Sequence, residues 1–285
     1  MRNKKRKENF TEEKMPHNRV AAFWDIIRLR YDVSLKLGGL FLLFALPIIL
    51  SLFIGRYWTS NLYQALEDGM EEAEYRQTLF IVLLIRNGVI SFSLLLMTFP
   101  IAGSLRLFRQ LAFYEGIWFS KDYLRGIKEN GKEVFLELLI VSILHLLSSS
   151  LIAYSYAFGS NEFWTTILFF LPGFLGITFL LPPVFLMFAQ NPIYSNRFSQ
   201  TFANGYVFYG KYAFQTLGMT LGVIGPLFLL LIPNVYSILA VCVLYFFLWL
   251  PLSGLAFFLF SCFVFDKILN VNQFPELVDR GVWRR

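Results

Sequence analysis

The sequence predicts an all-α integral membrane protein with six transmembrane helices arranged as three hairpins and amphipathic interfacial helices on the cytoplasmic side. Three observations lead there. The chain is 56% hydrophobic and only 15% charged, so a soluble fold could not cover its own surface with polar groups. Its apolar residues form uninterrupted stretches of membrane-spanning length. Its cations collect between alternate stretches: of the 25 Lys and Arg, 22 fall in the segments 1–36, 102–133, 191–212 and 266–285, against Arg56 and Arg76 on the other side and Arg86 within a span. That bias follows the positive-inside rule and places both termini in the cytoplasm of a multi-pass cell-membrane protein.

Residues 1–18 are polar and strongly basic, and read as a disordered tail. No apolar core follows them directly, so no cleaved signal is expected and the first span acts as the anchor. Residues 19–36 read as an amphipathic interfacial helix. Asp25, Arg28, Asp32 and Lys36 share one face, and Val20, Phe23, Trp24, Ile27 and Tyr31 lie roughly opposite. The membrane domain covers 37–265. Its first span is expected over 37–54, with Pro47 as a kink, followed by a loop over 55–78 carrying Glu67, Asp68, Glu71, Glu72 and Glu74. The second span, 79–101, contains Arg86. One arginine costs roughly 3 kcal/mol at mid-helix, less than the surrounding Leu, Ile, Val and Phe return at roughly 0.4 kcal/mol each. Arg86 also lies in the outer third, where it can snorkel.

The segment 102–133 reads as the longest internal loop. Its first part has a second interfacial pattern: Leu105, Phe108, Leu111 and Ala112 on one face, Arg106 and Arg109 away from it, and Gly116 as the stop. Spans three to six are expected over 134–158, 163–190, 212–232 and 236–265. A tight turn over 159–162, a polar aromatic loop over 191–212 and a Pro233–Asn234 turn join them, and 266–285 is a cytoplasmic tail. LGGLFLLFALP at 37–47 loosely echoes LGMTLGVIGP at 217–226, a weak sign of parallel repetition.

Few residues carry candidate chemistry. Arg86, Glu137 and His145 are the intramembrane polar candidates, since charges inside spans are functional until shown otherwise. Each has a plainer reading: Arg86 snorkels, Glu137 sits at the interface near Lys132, and His145 is a neutral imidazole bonded to a neighbouring helix. Glu137 and His145 are separated along a helix by about 12 Å of rise and cannot touch. Ser148, Ser149 and Ser150 either line a polar path or let helices approach closely. Gly218 and Gly222 read as a helix-packing pair. The prolines at 47, 100, 172, 182, 183, 226 and 251 read as static kinks. At the inner surface, Arg106, Arg109, Trp118, Asp122, Tyr123, Arg125 and Lys128 interleave basic and aromatic groups and are candidates for contact with a protein partner or anionic lipid.

Two His and two Cys do not make a standard zinc site, and haem or iron–sulfur ligation is equally unsupported, so no metal or cofactor is expected. Phosphate-loop, HExxH and GxSxG motifs are missing, and the basic charge belongs to topology rather than to nucleic acid, so the chain reads as non-enzymatic.

The stretch FPIAGSLRLFRQLAFYEGIWFSKDYLRGIKENGKE, 99–133, resembles the YesL-like family of bacterial membrane proteins. A Pro-containing small-residue turn (Pro100 to Ser104) precedes spaced Arg106 and Arg109, then Glu115-Gly116, then Trp118-Phe119 through Asp122-Tyr123 to Arg125 and Lys128. FANGYVFYGKYAFQTLG at 202–218 resembles the family's approach to its fifth span. The charged N-terminal tail, the acidic first loop and the C-terminal extension depart from the pattern. The resemblance implies an accessory or partner component of a bacterial carbohydrate ABC import system, with the bilayer and the importer's permease subunits as partners. A small stand-alone transporter or channel is the alternative. The coupling sequence of ABC permeases is lacking in the long inner loop.

Overall fold

The structure, a computed structural model, describes residues 15–159, 163–232 and 234–283; the tail expected over 1–18 and the turn expected over 159–162 lie mostly outside them. Every regular element among the described residues is helical. Six helices are long and apolar enough to cross a bilayer, namely Arg19–Glu67, Glu72–Ala112, Phe119–Phe158, Phe170–Gln190, Ala213–Leu230 and Tyr236–Gln273. In the apolar window of Phe119–Phe158 only 17% of the residues are buried inside the protein. A surface that apolar requires lipid. The chain is a multi-pass helical membrane protein.

The helices run further than the apolar stretches alone suggest. Helix α1, Arg19–Glu67, begins where Asn18 Oδ1 accepts from the Ala21 backbone N–H at 2.8 Å. It joins the segment read as an interfacial helix to the first span. The only non-helical backbone inside it is at Arg30, φ −137° and ψ 29°. The strip that α1 buries at its start is Ala22, Ile26 and Val33, while Val20, Trp24 and Tyr31 stay exposed on the other side. The acidic loop is largely the meeting of α1 with α2, Glu72–Leu96, turned at Gly69, whose φ of 105° suits glycine.

The expected loop over 102–133 is in fact two helices. Helix α3, Thr98–Ala112, continues α2 after a break at Met97, and α4, Phe119–Phe158, is a single 40-residue helix. The interfacial pattern in the first part misled, because α3 is enclosed by protein: Leu105, Leu107, Phe108, Leu111 and also Arg106 and Gln110 are buried. A helix buried all round loses its solvent face, so its apolar stripe says nothing about lying on a membrane. It ends at Ala112 rather than Gly116, with Tyr114 at φ 55° in the turn. The close approach of α3 to α4 needs Gly126, where an added Cβ would come within 3.0 Å of the Ala102 and Gly103 carbonyl oxygens.

Helix α5, Phe163–Leu175, passes through a wide π-helical turn, Gly176–Leu180, into α6, Leu181–Gln190. The expected polar loop over 191–212 is mostly α7, Phe198–Lys211, which bends at Tyr212 into α8, Ala213–Ile224. After the tight turn Gly225–Leu231, the last membrane helix comprises α9, Val235–Leu244, a second π-helical turn, Tyr245–Trp249, and α10, Leu250–Phe265. The segment read as a tail continues as helical turns through Leu277 and folds back, so that the Trp283 N–H meets the Pro16 carbonyl at 2.9 Å. Both ends of the described chain therefore sit together, at one end of the bundle, the terminus end. The core gathers Phe41, Leu107, Phe108, Met187, Leu255 and Phe258 from α1, α3, α6 and α10.

Three of the prolines explain the irregular turns. A proline gives no N–H to the carbonyl four residues back, and lipid cannot replace it. Pro182 leaves the Thr178 carbonyl, which accepts from the Tyr209 hydroxyl at 2.6 Å. Pro226 leaves the Gly222 carbonyl, which accepts from Trp249 Nε1 at 3.0 Å. Pro251 leaves the Phe247 carbonyl, which lies against Gly38 of α1 so closely that a Cβ there would overlap it. Each neighbouring helix thus answers a backbone group that proline exposes. Tyr209→Phe keeps the ring and removes the donor, and is expected to cost about 1–2 kcal/mol in thermal unfolding of the detergent-solubilised protein.

The Gly218–Gly222 packing pair is not found within the chain. A Cβ at Gly218, Gly222 or Gly225 would meet nothing within 4 Å. The helix turns this face outward, and the approach it was expected to serve is made by Gly38, Gly103 and Gly126 instead, where an added Cβ would collide with a neighbouring helix.

Candidate functional site

The intramembrane candidates divide into two places. Arg86 and His145 belong to one seam between α1, α2 and α4. The Ser51 hydroxyl donates to the Arg86 carbonyl at 3.1 Å, and Arg86 Nε and Nη2 both reach Asn87 Oδ1 at 3.3 Å. Asn87 Nδ2 donates to the Ser149 carbonyl at 3.1 Å, and Ser91 Oγ pairs with His145 Nδ1 at 2.8 Å. The Ser142 hydroxyl donates to the Ser91 carbonyl at 2.5 Å. The imidazole is bonded to a neighbouring helix, and the hydroxyls of Ser149 and Ser150 turn back to the Leu146 carbonyl of their own helix. Ser51, Asn87, Ser91, Ser142 and His145 thus join helix to helix. Asn87 and Ser91 are the members that sequence reasoning passed over, although an Asn directly after an Arg inside an apolar run is a visible signal.

Glu137 lies elsewhere, enclosed by protein rather than facing lipid or solvent. Its side chain is 0% exposed, and both carboxylate oxygens accept from Asn191 Nδ2, at 3.1 and 3.0 Å. Asn191 also lines an open polar cavity of about 480 Å³ at the terminus end, with Arg109, Glu129, Asn130, Glu133 and Asn196. A second crevice, of about 90 Å³ and apolar but for Ser104, lies between Phe41, Phe108, Phe185, Val223, Leu250 and Phe257.

Most of the predicted surface contacts at the terminus end are internal. Arg106 is buried; it reaches Asp122 at 3.6 Å and bonds to Glu129. Asp122 in turn accepts from the Trp118 backbone N–H at 2.7 Å, closing the start of α4. Tyr123 is buried against Gly103, and its hydroxyl donates to the Phe99 carbonyl at 3.3 Å. Arg109 bonds to Glu115 at 3.2 Å and to the Pro192 carbonyl at 3.1 Å. These four residues bond within the fold, and of them Arg109 also lines the polar cavity. The same network takes in Arg19, whose guanidinium meets Asp266 at 2.9 Å and the Arg280 carbonyl at 2.8 Å. Arg280 also binds Glu115 at 3.0 Å, and Asn270 links Asp266 to the Tyr194 hydroxyl. Tyr114 donates to Asp25 at 2.9 Å. Burial, reinforced by the Asp25 carboxylate, pushes the Tyr114 phenol up, and burial does the same at Tyr194. Both hydroxyls therefore stay protonated donors at physiological pH.

What remains exposed is one face of the first turns of α4. Lys121, Arg125, Lys128 and Lys132 follow at spacings of four, three and four, and so share a side. Trp118, 62% exposed, and Leu124, 64% exposed, flank them. Arg125 is braced by Glu129 at 2.7 Å. Forty residues of unbroken helix extend about 60 Å, twice the thickness of the hydrocarbon core. The helix is therefore longer than one bilayer crossing needs, and the stripe occupies the part that precedes its apolar run. No group of three or more His, Cys, Asp or Glu able to hold a metal ion occurs among the described residues.

These features define a multi-pass helical membrane protein with an ion-paired, helix-built platform at the terminus end. In comparisons with protein-family models, with curated proteins and with solved structures, the chain matches none.

Proposed function

We propose that this chain is a non-enzymatic accessory component of a bacterial carbohydrate ABC import system, resident in the cell membrane with both termini cytoplasmic. In this reading it binds the importer's permease subunits through the exposed stripe of α4. The observation that carries the reading is the stripe itself: Lys121, Arg125, Lys128 and Lys132 bordered by Trp118 and Leu124. Aromatic and arginine groups anchor protein interfaces, and rim charges steer the encounter. In this reading the start of α4 projects from the membrane, which favours a protein partner over lipid, whose headgroups would reach only its base. The YesL-like resemblance of 99–133, which contains the whole of this stripe, and the inner-side excess of cations support the same assignment. The bonds that Arg86, His145 and Ser149 make between or within helices favour this reading over a stand-alone carrier.

The test is co-purification under mild detergent. Wild-type protein is expected to bring down a permease or its ATPase. The variant carrying Lys121→Glu, Arg125→Glu and Lys128→Glu is expected to lose at least tenfold of that yield while unfolding at the wild-type temperature, since none of the three side chains is buried. If wild-type protein kept in lipid nanodiscs brings down no importer component, the proposal fails.

A further inference from the structure

We propose that Arg56 and Arg86 form a binding site for the phosphodiester of an anionic phospholipid, in the leaflet at the end of the bundle away from the chain termini. Arg86 is held in a built bracket. Its aliphatic stem fills the space that Gly55 leaves open, for a Cβ there would overlap Arg86 Cδ. Its Nε and Nη2 both donate to Asn87 Oδ1 at 3.3 Å, and Asn87 is itself fixed by its bond to the Ser149 carbonyl at 3.1 Å. A guanidinium carries five N–H donors, so the bracket leaves donors for a ligand.

The neighbouring charge has the same sign. Arg56 follows Gly55 directly, and Gly55 is the residue that packs against the Arg86 stem. Among the described residues, no carboxylate stands within ion-pairing distance of either, whereas Arg76 is paired with Glu72 at 2.5 Å. Two cations held together at the edge of a low-dielectric medium without a counter-charge call for an anion.

Position says which anion. Arg56 comes two residues after the end of the apolar run 37–54, and Tyr57, Trp58 and Tyr63 stand exposed just beyond it. Aromatic residues of this kind mark the headgroup level, where phosphodiesters lie. Ile85 and Val89, on either side of Arg86 in sequence, are exposed and offer apolar surface to an acyl chain. Glu67, Asp68, Glu71, Glu72 and Glu74 crowd the tips of α1 and α2 and repel a dissolved anion coming from solution. A lipid moving within the leaflet avoids that field. A phosphatidylcholine carries the same phosphate with a cation attached, which the arginine pair disfavours.

Native mass spectrometry of the detergent-solubilised protein tests this, titrating phosphatidylglycerol, phosphatidylcholine and inorganic phosphate in separate arms. Wild-type protein is expected to retain one phosphatidylglycerol at a concentration about tenfold below that needed for phosphatidylcholine. Arg86→Gln and Arg56→Gln are each expected to lose about tenfold of that retention, the loss typical of a charge-assisted hydrogen bond. Arg56 is exposed, so its variant keeps the fold and reads binding alone. Equal retention of the two lipids, or unchanged retention in both variants, overturns the proposal. Displacement of the lipid by millimolar inorganic phosphate overturns the lipid assignment and makes the pair a site for a soluble anion.

Discussion

Gly38→Ala is expected to destabilise the protein by about 1–3 kcal/mol, and Gly39→Ala, one residue along, to leave it unchanged or slightly more stable. The two glycines are adjacent in the same helix, so the comparison holds propensity and depth nearly constant. They differ in what lies opposite. A Cβ at Gly38 would overlap the carbonyl oxygen of Phe247, with the Phe247 carbonyl carbon and Cα next in line, whereas at Gly39 it would meet nothing within 4 Å. Backbone cannot rotate aside as a side chain can, so α1 and the π-helical turn must separate. That turn exists because Pro251 withholds its N–H from Phe247, and separation exposes the same carbonyl to lipid. Thermal unfolding in detergent should place Gly38→Ala several degrees below wild type. If Gly39→Ala falls by the same amount, the cost belongs to the helix and not to the crossing, and this account of the crossing is wrong.

The contrast between the two glycines shows where sequence reasoning reaches its limit. Apolar length is a property of consecutive residues, and it located the six membrane-crossing helices. It did not show that α4 extends from Phe119 or that α7 begins at Phe198, because a polar helix and a polar loop differ little in composition. Pro251 was visible as a kink, but the residue that accommodates it is over 200 positions away in α1, and nothing local to LGGLF says which glycine faces a carbonyl. Gly218 and Gly222 have the spacing of a packing pair and no partner in the chain. Spacing reports that two residues share a face; it does not report what covers that face.

The candidate site was legible to a similar degree. Arg86 and His145 stand out because charge and imidazole are rare in apolar runs, and the structure places them in one seam. Their direct partners, Asn87 and Ser91, lie in the same helix as Arg86 and could have been found by asking what satisfies each group. The basic segment 102–133 was read as one surface. The structure divides it by burial: Arg106, Asp122 and Tyr123 hold α3 to α4, and Lys121, Arg125 and Lys128 remain outside. Cations occur in both groups, so only the helix-to-helix geometry could tell the buried Arg106 from the exposed Arg125.

The network at the terminus end gives the second large effect. Arg19→Met is expected to cost about 3–5 kcal/mol and to release the C-terminal segment from the start of α1. Arg19 and Asp266 are 247 positions apart, and their side chains are only 10% and 8% exposed. Removing the guanidinium leaves the Asp266 carboxylate buried with the Asn270 amide as its remaining bond, and an unpaired buried charge carries the full desolvation penalty. The Arg280 carbonyl loses its donor at the same time, which loosens the turn at Gly281 that packs on the Ala112 carbonyl. Trypsin should therefore cut after Lys267 and Arg280 many times faster than in wild-type protein, while the membrane helices stay protected. Arg19→Met combined with Asp266→Asn removes the stranded charge and should recover a large part of the loss. If the double variant is as unstable as the sum of the single ones, the pair acts through separate contacts, and the two ends of the chain are joined by apolar packing such as His17 on Trp283 instead.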